Sequence, residues 1–153
     1  DLPILEREQG SEEMDYRAAP ASEYQKSARR GSAKIFNHVA SNHSARTTEI
    51  VALVPEGQNY KSLPRHLKNT RNFHVAWTRL HRDKPSPTID TGHRHHFHPT
   101  ANRVPTVREA ARIQSFPDTF KFLGSKTSQY KQVGNAVPPL LAMRLGQELL
   151  KYI

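Results

Sequence analysis

The residues best suited to binding a ligand lie near the end of the sequence, in the stretch QVGNAVPP at Gln132–Pro139. Asn135 carries an amide that donates and accepts hydrogen bonds at once, as a polar ligand contact requires. Gly134 permits backbone conformations that other residues resist, and Pro138 and Pro139 fix the start of a following helix. The same residue types are more often used in a simple helix-capping turn, so the residues alone favour a turn that binds nothing.

A second group of candidates is basic or carries amides, and it spreads over residues 26–72 and beyond. Arg reads guanine and Asn reads adenine in the major groove of DNA. Phosphate and sugar nevertheless take more than half of protein–DNA hydrogen bonds, so the sequence does not identify the base readers. The candidate DNA contacts from this group are Lys34, Asn37, Arg46 and Arg79.

The run His93–His98, which reads HRHHFH, brings four imidazoles together. A structural zinc site needs four ligands in an ordered geometry. The run contains no acid or cysteine, and Arg94 is an unfavourable neighbour for a cation. A basic loop close to DNA is the favoured interpretation, and no metal is predicted.

Composition limits what the chain can do. None of its 153 residues is cysteine, which excludes disulfides, thiolate metal sites and a cysteine nucleophile. Residues 1–16 have a net charge of −5, and residues 17–153 have a net charge of +14. This basic body favours a polyanionic partner, because contacts to phosphates release counterions. A soluble basic protein without such a partner is the alternative.

Targeting signals are not evident. The sequence has no long apolar run and no signal peptide, so we expect no membrane span and a cytoplasmic location. The first residue is Asp1 rather than methionine, so we expect the chain to be a piece of a longer protein or a separate subunit.

The first two thirds of the sequence give weak structural signals. Residues 1–34 are polar with Pro, Gly and Ser, which indicates a loop or linker. The apolar runs at 49–55 and 74–80 are typical of strands, and a short strand is predicted at 87–90. A helix or turn is expected within 59–67, near Leu63-Pro64.

The last third is clearer. Thr106 and Glu109 have the spacing of a capping box, and they predict a helix over 106–115 that stops before Phe116-Pro117. Apolar residues at every fourth position predict a final helix of about 14 residues. They are Leu141, Leu145, Leu149 and Ile153. This apolar face needs a partner, which is either the 106–115 helix or a surface outside the chain.

Two segments carry a family resemblance. RVPTVREAARIQSFPDTF (103–120) and SQYKQVGNAVPPLLA (128–142) resemble the last two conserved blocks of DNA cytosine-5 methyltransferases, in the same order and spacing. Fainter likeness extends upstream through Pro85–Ile89, Trp77–Leu80 and Asp1–Leu5. The resemblance covers most of the chain, but it is specific only over residues 77–142.

The resemblance implies an α+β fold. A small, irregular, β-rich recognition domain with helices would be followed by a C-terminal helix that belongs to a Rossmann-like catalytic domain lying mostly outside this chain. Four parts are implied in order. They are a partly flexible connector at 1–34, the target-recognition region at 35–102, a helix with its connector at 103–127, and a cofactor-wall turn with the final helix at 128–153.

The resemblance also implies roles for particular residues. Gly134, Asn135, Ala136 and Val137 match the block that lines the S-adenosylmethionine pocket. The Thr88-Ile89 pair matches a Thr-aliphatic pair that contacts a DNA phosphate near the flipped base. A scaffold role is implied for the remaining matched residues, which are Arg103, Thr106, Arg108, Glu109, Arg112 and Gln114.

The implied reaction is methyl transfer from S-adenosylmethionine to C5 of cytosine in a specific duplex sequence, within a bacterial restriction–modification system. Attack on the base needs a thiolate, and this chain has no cysteine. We therefore expect the isolated chain to be inactive. Its partners would be double-stranded DNA and a missing catalytic part, and it would self-associate through its last helix. The alternative is a DNA-binding module or regulatory remnant with no role in methylation.

Overall fold

The computed structural model describes residues 1–6, 8–68, 77–91 and 95–153. Two small sheets lie within these ranges. Strand β1 (Gly10–Met14) pairs antiparallel with β2 (Ile35–Val39), and β3 (Thr78–Arg79) pairs parallel with β4 (His96–Phe97). The described helices are α1 (Glu23–Arg29), α2 (Ala45–Ala52), α3 (Arg65–Lys68), α4 (Val107–Ile113), α5 (Lys126–Asn135) and α6 (Pro139–Leu149). The predicted α+β class is confirmed.

Two apolar clusters form the core. The first joins α4 and α5 to their connectors and contains Ile89, Val107, Ala110, Ala111, Phe116, Phe122, Tyr130 and Val133. The second lies under α2 and β4 and contains Ile50, Val51, Val54, Leu63, Phe97 and Val104. Val107 and Val104 therefore place the start of α4 between the two clusters, so both halves of the chain pack around this helix.

The strand predicted at 49–55 is wrong, because residues up to Ala52 belong to α2. Ser44 caps this helix by accepting a hydrogen bond from the Thr47 amide. Ile50 and Val51 near the end of this helix, and Val54 just after it, then reach the second core cluster. The apolar run was too short to separate helix from strand by its period.

Three other expectations change. Residues 1–34 contain β1 and α1 rather than loop alone, because the backbone of the polar β1 pairs with β2 and Ser22 caps α1. The short strand expected at 87–90 is irregular backbone. Of the strand expected at 74–80, residues 74–76 lie outside the described residues, and β3 covers Thr78–Arg79. A short 3-10 helix (Tyr60–Ser62) and α3 flank Leu63-Pro64, as predicted.

Helix α4 begins with the predicted capping box. The Thr106 hydroxyl accepts from the Glu109 amide at 3.1 Å, and the Glu109 carboxylate accepts from the Thr106 amide at 2.7 Å. The same hydroxyl lies 2.8 Å from Nδ1 of buried His38, whose Nε2 lies 2.9 Å from the carbonyl oxygen of Pro3. A carbonyl only accepts, so Nε2 donates and Nδ1 accepts from Thr106. A neutral imidazole thus joins β2, α4 and the start of the chain.

Helix α6 packs little against the rest of the chain. None of its residues is buried, and Leu141, Leu145 and Leu149 are 51%, 54% and 63% exposed. The Leu140 amide donates to Oγ of Ser115 at 3.1 Å, which ties the start of α6 to the end of α4. The 106–115 helix therefore does not cover the apolar face of α6.

Burial lowers the pKa of His38, against the opposing effect of Glu109. The unfolded imidazole binds a proton below a pH of about 6.5, whereas the folded one resists it. Stability should therefore be full above that pH and should fall by up to about 1.4 kcal/mol per pH unit below it. Burial also lowers the pKa of His98, which adds to the same trend.

Urea unfolding between pH 7.5 and 5 tests this coupling. The His38→Gln variant keeps a donor for the Pro3 carbonyl but does not titrate, so its stability should fall less steeply below pH 6.5 than that of the wild type. The His66→Gln variant, which changes an exposed imidazole on α3, is the control and should keep the wild-type slope. Equal slopes for the wild type and His38→Gln would contradict the role of His38.

Candidate cofactor wall and nucleic-acid interface

Five of the six predicted scaffold residues are buried around α4, and Glu109 is partly buried. The Arg103 guanidinium forms a two-pronged ion pair with Glu109, with N···O distances of 2.7 and 2.8 Å, and it donates to the Leu5 carbonyl at 2.6 Å. Burial alone would raise the pKa of Glu109, but the hydrogen bonds and charge of Arg103 lower it overall. The pair therefore fixes an ionised capping residue against the first residues of the chain.

A second buried cluster centres on Asp118. Arg112 reaches its carboxylate at 2.7 and 2.5 Å, Arg108 lies 3.6 Å away, and the Tyr16 hydroxyl donates to it at 2.5 Å. Burial and the Asp118 carboxylate raise the pKa of Tyr16 to about 12. Arg112 also contacts the buried carboxylate of Asp1 at 3.3 Å. The cluster therefore joins the residues before and after β1 to α4 and to the connector that follows α4.

Two hydrogen bonds hold helix α5 against the residues at the two ends of α4. One is accepted by the backbone of α5, and the other is donated by a side chain of α5. Nε2 of buried Gln114 donates to the Val133 carbonyl at 3.2 Å, and the Tyr130 hydroxyl donates to the Pro105 carbonyl at 2.5 Å. Val133 is fully buried in the first core cluster. The end of α5, where the cofactor candidates lie, is therefore positioned by α4.

The predicted cofactor residues lie where α5 ends. Gly134 and Asn135 are the last two helical residues, and the Ala136 amide donates to the Val133 carbonyl at 3.3 Å as the C-cap. Gly134 does not have a positive φ, so the turn that the sequence suggested is a helix end, and the freedom of glycine in φ is not its reason for being there. Asn135 and Val137 are exposed, whereas Ala136 packs on the first core cluster.

The surface at the end of α5 offers polar and apolar contacts side by side. The exposed Asn135 amide offers a donor and an acceptor, and the Val137 side chain, 60% exposed, offers an apolar contact two residues later. Pro138 and Pro139 follow at once and begin α6.

Three of the predicted DNA contacts are accessible. Arg46 is exposed, and Lys34 is half-buried and forms an ion pair of 2.7 Å with Asp15. Thr88 is also exposed, and its carbonyl lies 3.0 Å from Nε2 of His96. The Thr88 hydroxyl thus lies on the surface while its backbone is attached to β4. These positions stay predictions.

Arg79 and Asn37 are buried, and this location does not suit the DNA contacts predicted for them. Arg79 donates to the carbonyls of Val51 and Val54, both at 2.6 Å, and also to three carbonyls between 98 and 101 and to Asn102. Its guanidinium therefore closes the second core cluster. A carbonyl accepts the same donors as a phosphate, so the sequence could not distinguish the two roles.

Asn37 has a left-handed backbone with φ of 59°, a region in which Asn is enriched. Its side-chain amide pairs with the backbone of Phe122 in both directions at 2.9 Å, and it donates to Glu12. Asn37 therefore fixes β2 to the α4–α5 connector. This partner lies 85 residues away in sequence, which no local pattern reveals.

The histidine run is partly described. His95 contacts the Asp90 carboxylate, and Nδ1 of His98 accepts from the Ala101 amide at 2.9 Å, while His93 lies outside the described residues. Among the residues that the structure describes, no group of three or more His, Cys, Asp or Glu side chains could hold a metal ion. No helix in the described ranges is long and apolar enough to cross a membrane.

The sequence missed Asp118, Tyr16, His38 and Asp1 as members of the buried network. Asp118 follows Phe116-Pro117 directly, and an acid beside two arginines of one helix face could have been read as their partner. The contributions of Tyr16 and Asp1 could not be predicted, because they come from the other end of the chain.

Relatives of this chain include two bacterial type II methyltransferases. Type II methyltransferase M.DdeI of Desulfomicrobium norvegicum is 40% identical over 99% of this chain and 41% of its own length. Type II methyltransferase M1.HphI of Haemophilus parahaemolyticus is 44% identical over 76% of this chain and 32% of its own length. This chain thus spans less than half the length of these relatives.

A plant protein and a solved structure extend the comparison. DNA (cytosine-5)-methyltransferase 1A of Oryza sativa subsp. japonica is 31% identical over the whole of this chain, which covers 12% of that protein. A crystal structure assigned provisionally as a DNA modification methyltransferase encoded within a prophage (E. coli) shares the fold. Its TM-score is 0.66 and its identity is 24%, over 92% of this chain and 41% of its own. The family model described as C-5 cytosine-specific DNA methylase matches residues 4–151, so the chain belongs to that family.

Proposed function

We propose that this chain forms the DNA-recognition and cofactor-pocket-completing part of a DNA cytosine-5 methyltransferase. The complete enzyme would transfer a methyl group from S-adenosylmethionine to C5 of cytosine in a specific duplex sequence, in a restriction–modification system. The observation that carries the proposal is the end of α5. There Asn135 is exposed in the last turn, Val137 is exposed two residues later, and the buried scaffold around α4 holds the helix in place.

The cofactor supplies the methyl group, and this chain would help to bind and orient it. The Asn135 amide would pair with the amino-acid end, and Val137 would cover an apolar edge. The thiolate that attacks the base has to come from another part of the active protein, since this chain contains no cysteine. A wall without a nucleophile supports a role in completing a site rather than in running the chemistry alone.

Charge and position support the DNA-binding part. Residues 17–153 carry a net charge of +14, so phosphate contacts would release counterions and give affinity that falls steeply with salt. Thr88, Lys34 and Arg46 expose polar or cationic atoms, and Thr88 is the proposed phosphate contact. An enzyme that modifies a base has to rotate it out of the duplex, and contacts beside the flipped base stabilise that state.

Helix α6 supports a partner for this part. Its apolar residues are exposed, whereas a soluble protein rarely leaves so much contiguous apolar surface uncovered. The catalytic part, whether in the same polypeptide or in a separate subunit, is the proposed cover. This assignment explains why α6 follows the cofactor turn without a break.

Asn135→Ala in the complete gene product tests the cofactor wall. Loss of a hydrogen bond to a charged ligand group costs about 1.5–3 kcal/mol, so S-adenosylmethionine should bind about 10- to 150-fold more weakly by calorimetry. Duplex affinity should change less than about twofold. Gln147→Ala, which removes an exposed amide from the distal part of α6, is the matched control.

The two affinities, for S-adenosylmethionine and for duplex DNA, distinguish the enzyme from the alternative DNA-binding module. If the complete gene product binds duplex DNA but shows no measurable S-adenosylmethionine binding, the DNA-binding module becomes the better account. Cofactor affinity that is unchanged by Asn135→Ala would remove this residue from the wall.

The exposed face of α6 should make the isolated chain self-associate. Leu145→Glu places a charge in the middle of this face, so it should shift sedimentation toward the monomer, because burying an unpaired carboxylate is costly. Gln147→Glu adds the same charge at a polar position of the same helix and should leave association unchanged. A wild-type chain that stays monomeric at high concentration would contradict this prediction.

A further inference from the structure

The last turn of α5 touches the backbone of the loop that carries Thr88. A Cβ added at Gly134 would lie 2.4 Å from the carbonyl carbon and the carbonyl oxygen of Asp90, and 2.5 Å from the amide nitrogen of Thr91. These neighbours are backbone atoms, which cannot turn aside as the end of a flexible side chain can. Glycine is therefore required here by the close approach of two backbones.

The loop at residues 88–91, which we call the recognition loop, is also held on its other sides. Ile89 is buried in the first core cluster together with Val133 of α5. The Thr88 carbonyl lies 3.0 Å from Nε2 of His96, and the Asp90 carboxylate contacts His95. The loop has little room to move without moving the end of α5, because closely packed interiors transmit displacement.

Each of the two proposed ligand contacts lies within two residues of this close approach of backbones. Asn135 follows Gly134 directly, and Thr88 lies two residues before Asp90. Ala136, next in the chain, packs on the same core cluster that holds Ile89. A displacement of the recognition loop on DNA would therefore act on the end of the cofactor wall, most directly across the backbone contact at Gly134.

We propose that Gly134 is a positioning residue that couples DNA binding at the recognition loop to cofactor binding at Asn135. This inference rests on the proposed function and adds to it the contact through which the two ligands affect each other. It also gives Gly134 a role that differs from the one predicted by sequence. The glycine seats the recognition loop, and Asn135 and Val137 form the cofactor contacts.

Coupling of this kind is reciprocal. If duplex DNA tightens cofactor binding by some factor, the cofactor must tighten DNA binding by the same factor. A methyl group at position 134 would push the loop away from α5, but it would leave both ligand-binding surfaces in place. Each ligand could therefore still bind. The factor by which one ligand improves the affinity of the other is therefore the quantity that the glycine controls.

The test is a binding cycle on the complete gene product. The ligands are S-adenosylhomocysteine, which cannot donate a methyl group, and sheared unmethylated bacterial genomic DNA. The Kd of S-adenosylhomocysteine is measured with and without saturating DNA for the wild type, Gly134→Ala and Gly146→Ala. Gly146 lies on α6, and within this chain no atom lies within 4 Å of an added Cβ, so its variant adds the same methyl group without a clash against the recognition loop or α5.

The wild type and Gly146→Ala should bind S-adenosylhomocysteine about fivefold or more tightly when DNA is present. In Gly134→Ala this factor should fall to less than about twofold. If Gly134 had only a structural role, the substitution would weaken the binding of both ligands, but DNA would still improve S-adenosylhomocysteine affinity by the same factor. That result would overturn the inference. A wild-type factor close to one would overturn it as well. A wild type that binds neither ligand would instead overturn the proposed function.

A measurement on the wild type alone keeps the inference testable if Gly134→Ala does not fold. Amide hydrogen exchange in peptides that cover residues 132–138 should slow when DNA is added without cofactor. Exchange in peptides that cover residues 86–91 should slow when S-adenosylhomocysteine is added without DNA. Protection confined to each ligand's own segment would overturn the coupling.

Discussion

The buried guanidinium of Arg108 joins α4 to the distant strand β2 and to the connector that follows α4. It donates to the carbonyl of Phe36 on β2 at 2.8 Å, to that of Pro117 at 3.2 Å and to that of Phe120. Burial lowers its pKa, and the nearby Asp118 carboxylate opposes this effect. A fully buried cation needs a partner for nearly every N–H group. The strand, the helix and the connector must therefore be in place together.

The other two buried arginines around α4 also join separate segments of the chain. Arg103 joins the capping box to the first residues of the chain, and Arg112 joins Asp118 to Asp1. Buried ion pairs contribute less net stability than their close contacts suggest, because desolvation offsets the attraction, yet removing one partner typically costs about 3–5 kcal/mol. Their effect is to permit one arrangement of segments and to penalise others. The position of α5, and with it that of Asn135, follows from that arrangement.

The features that the sequence predicted well are those set within a few residues. The capping box at Thr106 and the helix stop before Pro117 depend on neighbours three or fewer positions away, so they could be recognised directly. Arg79 and Asn37 were assigned to DNA because of their donors, but their partners are carbonyls of the folded chain. Gly134 was recognised as special for the wrong physical reason, since the backbone that it meets lies more than forty residues earlier. The chemical groups of a residue can be read from its own position in the sequence, whereas its burial depends on segments far away in the chain.

The arrangement of α6 gives the cofactor wall a dependence on assembly. Pro138 fixes the path between Val137 and the first turn of α6, so the orientation of one constrains the other. Each leucine on the exposed face would contribute about 1.5–3 kcal/mol if fully buried, and in this chain α6 has no buried residue. In the proposed enzyme, that stabilisation would be gained only when the catalytic part covers α6, and the same docking would bring Asn135 and Val137 against the opposite wall. A complete pocket and a covered apolar face would then form in one step, so cofactor affinity would report on assembly of the whole site.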